Sequence, residues 1–312
     1  MGKKEETPPL NGTTDFYILP EDIPRLKLRR VFPTLILMQG AEIGRDYPLR
    51  KKDIQIIGRS IDADISIAGD PLVSRVHSKI TVIFDPLTKT KSYFIEDLGS
   101  KNKTFVNFKP IKKMELKEGD MIQVGNTVLK FVMLDEVDAK FHKEIQKKIQ
   151  FDDLTSLLTL ESFKLALEKE LYRCKQYKLP LSFFMMDLDF FKKVNDTYGH
   201  SVGSAVLRDI GNIINKNLRD IDVSGRYGGE EFVAYLREIR KDVAFKVAER
   251  IRKRIEKHEF KHEGYLLHIT ISIGISQFPD DGRNYKELLK NADKALYIAK
   301  EKGRNRVVLF NS

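Results

Sequence analysis

Apolar positions along this chain change their spacing twice. Between residues 34 and 133 they fall in short β-branched runs, at 34–38, 54–57, 79–84, 92–96 and 127–133, separated by polar turns. Many short strands of this kind predict an all-β sandwich. After Asp135 the spacing becomes helical, with Phe141, Ile145 and Ile149 recurring every four residues amid Lys, Glu and Gln. Beyond Phe151 the two kinds mix. Residues 181–188 form a dense apolar run that predicts a buried strand, and 225–236 predict two strands joined at Gly228-Gly229. Helical periodicity marks 204–217, 242–258 and 285–300, and 268–276 predict a further strand. The order helix, strand, helices, hairpin, helix, strand, helix predicts an α+β sheet covered by helices on one side.

These shifts predict four segments: a tail over 1–30, a β-rich domain over 31–134, a helical linker over 135–150 and an α+β domain over 151–312. The tail is polar, with Pro8, Pro9 and Gly12, and is expected to be mobile. The linker fits either a signalling helix that pairs with its twin in a dimer or a solvated connector packed on one domain. A length of 312 residues suits two cores. The single cysteine, Cys174, excludes an internal disulfide framework and suits a reducing compartment. No apolar run is long enough to span a bilayer, and the opening residues lack a signal-peptide pattern, so a cytoplasmic protein with no membrane association is expected. The net charge of +10 is dispersed along the chain with no nucleic-acid-binding signature. It therefore predicts no nucleic-acid partner and suits polyphosphate nucleotides instead.

Three pieces of the β-rich segment fall in loops between predicted strands: Gly58-Arg59, Ser74-Arg75-Val76-His77, and residues 99–107 around Asn102. An arginine, a hydroxyl and an amide converging from separate loops make a site for a phosphate ester. In order and spacing these pieces resemble the forkhead-associated (FHA) family over about 33–133. The resemblance implies a phosphothreonine-binding sandwich in which Arg59, Ser74 and Arg75 contact the phosphate and Asn102 the peptide backbone. His77 is expected to tie the loops together, and Lys103 replaces the family's usual glycine. Thr7, Thr13 and Thr14 make the chain's own tail a candidate phosphopeptide.

Two acidic clusters carry the chemistry of the C-terminal segment. Asp187-Leu188-Asp189 ends the buried strand, and Gly228-Gly229-Glu230-Glu231 sits at the hairpin turn. A sheet that joins a strand end to a hairpin tip concentrates carboxylates, and hard oxygen ligands select Mg2+ or Mn2+. These clusters, with Asp153-Leu154-Thr155, Asn195-Asp196, Gly199-His200, Ser272-Ile273-Gly274 and the run from Ala292 to Asn305, resemble the GGDEF family over about 151–310. The resemblance implies a palm-like α+β domain with a ferredoxin-like core that condenses two GTP into cyclic di-GMP, one GTP per subunit of a homodimer. By position, Asp187, the Leu188 carbonyl and Glu230 hold two metal ions per active site, and Glu230 and Glu231 are catalytic. Lys192, Lys300 and Arg304 neutralise the triphosphate, while Asn195, His200 and position 204 contact the guanosine. The family's guanine-pairing aspartate is Ser204 here; Ser156 replaces a glycine, and Thr159-Leu160 replaces Asn-Arg. Arg219 and Asp222 stand at the spacing of the family's product-inhibition site. The alternatives are a catalytically silent sensor of GTP or cyclic di-GMP and an FHA adaptor.

Overall fold

A computed structural model describes residues 31–40, 42–49 and 52–311; the tail and its threonines lie outside the described residues. The first domain is built from β1 (Phe32–Gln39), β2 (Asp46–Pro48), β3 (Ile54–Gly58), β4 (Ile65–Ser66), β5 (Ser78–Asp85) and β6 (Thr90–Asp97). It continues with β7 (Thr104–Val106), β8 (Lys109–Ile111), β9 (Lys113–Glu115), β10 (Met121–Val124) and β11 (Thr127–Leu134). Two sheets form, in the orders β2-β1-β11-β10-β7-β8 and β4-β3-β5-β6-β9. Alternation decides which residues meet between them: along β11, Thr127, Leu129 and Phe131 point inward while Val128 and Lys130 do not. Leu35, Ile57, Ile80, Ile95, Ile122, Leu129 and Phe131 form the shared core.

Helix α1 (Glu136–Gln150) follows, capped by Asp135, whose carboxylate accepts from the Val137 and Asp138 amides. Its apolar residues Val137, Phe141, Ile145 and Ile149 are exposed. The same helix buries Gln146, so it is in contact on one side and exposed along its apolar stripe.

The second domain contains α2 (Leu160–Tyr177), β12 (Leu181–Leu188), α3 (Phe191–Lys216), β13 (Val223–Gly228), β14 (Glu231–Arg237) and α4 (Lys241–Glu256). A small hairpin of β15 (Phe260–His262) and β16 (Tyr265–Leu267) leads to β17 (Ile271–Phe278), α5 (Tyr285–Glu301) and β18 (Val307–Leu309). The sheet order is β13-β14-β12-β17-β18, antiparallel except for the β17–β18 pair. Numbering β12, β13, β14 and β17 as one to four gives the order 4-1-3-2 of a ferredoxin-like core. The expectation of helices on one side is corrected here: both faces are covered. All eight residues of β12 are buried. Phe184 and Met186 pack with Val206, Ile210 and Ile251 of α3 and α4. Phe183 and Met185 pack on the other face with Phe163, Leu167, Leu288 and Leu296 of α2 and α5. A run with no polar face, such as β12, requires both layers. The basic residues that are dispersed in sequence also gather in space, since Lys246, Arg250, Lys253 and Lys257 recur at helical spacing and line one groove with Lys216.

Candidate active site

Antiparallel register brings the two acidic clusters together. Asp187, next to last in β12, lies opposite Glu231 of β14 on one side and Ser272 of β17 on the other. The Leu188 amide donates to the Glu230 carbonyl at 3.3 Å. Lys300 reaches across from α5 to pair with Asp187 at 2.8 Å. Burial raises the pKa of Asp187 above the ordinary carboxylate range against the opposing pull of Lys300. Burial, then the negative charge of Asp187, raises Glu230 and Glu231 as well. Three carboxyls held in this way hold protons more tightly than usual and would be relieved by added positive charge. Among the described residues, no group of three or more His, Cys, Asp or Glu is arranged as a finished metal cluster. The donors nonetheless fit Mg2+ or Mn2+ chemically, since Asp187, Glu230 and the adjoining backbone carbonyls are all hard oxygens.

The hairpin tip is open. Gly229 has φ of +48°, and a Cβ added at Gly228 or Gly229 would meet nothing within 4 Å, so a ligand can approach the backbone directly. Arg226 fixes the turn from behind. Its guanidinium donates to the Gly229 carbonyl at 2.9 Å and to Asp152, just after α1, at 3.1 Å. Asp189, beside Asp187, is occupied structurally: its carboxylate accepts from Thr270, Ser272 and the Asn305 amide. That tie holds the loop carrying Arg304, whose guanidinium lies 4.4 Å from the centre of the Phe190 ring and whose charge acts on Asp187. Neither Asp189 nor Asp152 stands among the sequence-predicted site residues, and both act by positioning.

The remaining predicted residues lie along α3. Lys192 is exposed in its first turn. Gly199, with φ of 84°, breaks the helix and leaves His200 exposed at the start of its second part. Asn195 reaches the second part of the helix, its Oδ1 only 1.9 Å from where a Cβ on Gly203 would sit. Gly203 therefore makes room for Asn195 beside the half-buried Ser204. Arg219 and Asp222 lie elsewhere. They pair at 2.7 Å, and Arg219 also donates to the Arg237 carbonyl at 2.8 Å, at the far end of β14. The length of β14, about 20 Å, separates them from the acidic cluster.

In the first domain the predicted phosphate ligands meet because two loops close on each other. A Cβ on Gly58 would come within 2.2 Å of the Arg75 carbonyl, so only glycine permits the approach. Across this contact the Arg59 amide donates to the Ser74 carbonyl at 2.9 Å, and the Lys101 amide donates to Ser74 Oγ at 3.1 Å. Asn102 Nδ2 donates to the Leu72 carbonyl at 2.7 Å. Arg59 Nε is buried with no protein hydrogen-bond partner. His77, fully buried, accepts the Ser74 amide on Nδ1, so Nε2 carries the proton and donates to the Lys103 carbonyl. It is the loop tie expected from the sequence.

The family described as "Diguanylate cyclase, GGDEF domain" matches residues 149–306, and the FHA domain family matches 41–125. Diguanylate cyclase A of Treponema denticola is 39% identical over 161 residues, which are 51% of this chain and 43% of that protein. Diguanylate cyclase DosC of Escherichia coli K12 is 34% identical over 223 residues, 71% of this chain and 48% of the relative. The chain thus spans about half the length of these curated relatives. Among solved structures, diguanylate cyclase SiaD of Pseudomonas aeruginosa, in complex with its activator SiaC, superposes with a TM-score of 0.51 at 32% identity. That match covers 56% of this chain and 66% of SiaD. The coiled coil and GGDEF domain of DgcB from Caulobacter crescentus, in complex with c-di-GMP, gives 0.52 at 26% identity, covering 55% and 91%. With its acidic strand end and glycine hairpin on a 4-1-3-2 sheet, and a sandwich before it whose Arg59, Ser74 and Asn102 loops close on each other, the chain belongs to the GGDEF diguanylate cyclase family and carries an FHA domain ahead of that domain.

Proposed function

We propose that this chain is a diguanylate cyclase, condensing two GTP into cyclic di-GMP with release of two pyrophosphates, and that residues 31–134 regulate residues 151–312 by binding a phosphothreonine peptide. The observation that carries this reading is the meeting of Asp187, Glu230 and Glu231 beside Lys300 at one end of the sheet. Each subunit of a homodimer holds one GTP, and the exposed apolar stripe of α1 supplies a face for pairing. Lys192, Lys300 and Arg304 neutralise the triphosphate; Asn195, His200 and Ser204 contact the guanosine. Asp187, the Leu188 carbonyl and Glu230 hold Mg2+ or Mn2+, two ions per site, which when bound polarise the phosphoryl group and favour ionisation of the attacking hydroxyl. Glu230 accepts the proton of the 3′-hydroxyl, a role suited by its raised proton affinity. The 3′-oxygen bonds to the α-phosphorus of the facing GTP as the bond to pyrophosphate breaks, and the step repeats with the roles of the two nucleotides exchanged. Glu231 assists from the adjacent strand position. Arg219 and Asp222 bind product and slow the enzyme. The chain's own N-terminal threonines are candidate phosphopeptide ligands.

The test is to incubate the full chain with GTP and Mg2+ and measure cyclic di-GMP by chromatography. Glu230→Gln is expected to lower the rate by about 100-fold or more with the melting temperature unchanged. Wild-type turnover in that variant would overturn the assignment of the base, and no product from the native chain would overturn the activity.

A further inference from the structure

The phosphate-facing loops of the sandwich do not open onto bulk solvent alone. Ser60 and Arg75 line a cleft of about 430 Å3 whose other wall is Tyr172, Lys175 and Gln176 of α2, a helix of the cyclase domain. Arg75 and Lys175 are both exposed, so two cations from different domains face one space. Ser60 follows Arg59, whose buried Nε has no protein partner. The cleft thus has a hydroxyl, an amide and a phenol for hydrogen bonding and two exposed charges for an anion. A dianion bound there would lie between two cations. A phosphothreonine carries about two negative charges at neutral pH.

We propose that the phosphopeptide site is shared between the domains: a phosphothreonine peptide seated on the Arg59, Ser74 and Arg75 loops is also bound by Lys175 and Tyr172 of α2. This rests on the phosphothreonine-binding reading above. The helix that would feel the ligand is tightly joined to the catalytic hairpin. Just before α2, Leu158 exchanges backbone bonds with β13, its amide donating to Ser224 at 3.2 Å and its carbonyl accepting from Arg226 at 2.8 Å. Within α2, Phe163 packs on Gly225 so closely that a Cβ there would lie 2.8 Å away. A ligand that draws α2 toward the sandwich therefore pulls on the strand that ends at Gly228-Gly229.

The experiment uses the full chain and a fluorescent peptide library fixed only at phosphothreonine, with its unphosphorylated twin as reference, read by anisotropy. Lys175→Glu is expected to weaken binding of the phosphorylated library about tenfold. Lys290→Glu, an equal charge change on α5 outside the cleft, is expected to bind like the native chain. Wild-type affinity in Lys175→Glu while Arg59→Ala abolishes binding would overturn the sharing and leave the sandwich as sole reader. Tighter binding in Lys175→Glu would overturn it too, showing that α2 obstructs the site. Undiminished binding in Arg59→Ala would overturn the phosphothreonine reading itself. Tyr172→Phe provides a second variant that keeps helix packing intact, with a smaller loss expected.

Discussion

Lys103 and Ser156 stand where the two families place glycine, and both adopt glycine-like backbone, with φ of 61° and 58°. Each turn therefore keeps its geometry at the expense of an L-residue in the left-handed region, about 1–2 kcal/mol per residue. Both side chains are exposed, so replacing them sacrifices no core packing. Lys103→Gly and Ser156→Gly are each expected to stabilise the protein by about 0.5–1 kcal/mol after the entropy glycine adds to the unfolded chain, read from denaturant midpoints. Thr159, which replaces an asparagine, also preserves its local structure by capping α2 through the Ser162 amide. Cys174 shows the opposite case, a reactive residue made inert. It is fully buried, and desolvation followed by the nearby Glu170 carboxylate raises its thiol from 9.0 to about 12. Native protein at pH 8 is expected to leave Cys174 unmodified by a disulfide reagent, with the full thiol appearing on unfolding. Because the folded pKa is the higher one, its contribution to stability is whole below about pH 9 and declines as pH rises toward 12. Tyr285, raised by burial from 10.0 to about 12, acts in the same direction. Denaturation midpoints should therefore fall through that window.

Elements differ in how openly the sequence shows them. The bounds of β12 match the apolar run because burial on both faces removes every polar interruption. For α3 only the part after residue 204 carries clear periodicity, since the break at Gly199 shifts the phase of the residues before it. The hairpin of β15 and β16 has strands of three residues each, too short for alternation to register. The acidic cluster was legible because strand end and hairpin tip are each local patterns. The Arg226–Asp152 pair was not, because its partners lie 74 residues apart and nothing local joins them. The β13–β14 hairpin also keeps two clusters at opposite ends, with the acidic turn at one and the Arg219–Asp222 pair at the other. Arg219→Ala is accordingly expected to raise the cyclic di-GMP concentration that halves the rate by at least about tenfold while leaving the initial rate within twofold. Equal inhibition of variant and native chain would separate that pair from feedback.

At the scale of the whole molecule, three layers stand in series: a sandwich with closely joined loops, an α1 helix with an exposed apolar stripe, and a palm-like sheet with an acidic end. None of the described helices is long and apolar enough to cross a membrane. The layers meet at a small joint. Asp152 belongs to the stretch just after α1, yet it holds Arg226, which holds the Gly229 carbonyl at the hairpin tip. For anyone building chimeras from this GGDEF domain, that joint sets where the part can be cut. A foreign sensor spliced at Gln150 carries Asp152 along with the domain, and the hairpin arrives with its brace. A splice only two residues later, replacing Asp152 with alanine, delivers the same sheet and the same carboxylates with an unbraced turn. The second chimera is expected to form cyclic di-GMP about tenfold more slowly than the first, at equal melting temperature, because misplacing a catalytic group slightly is enough to slow the chemistry. As a portable part, the catalytic unit therefore begins upstream of its first conspicuous motif residue, at the end of the helix that was thought of as belonging to the connection.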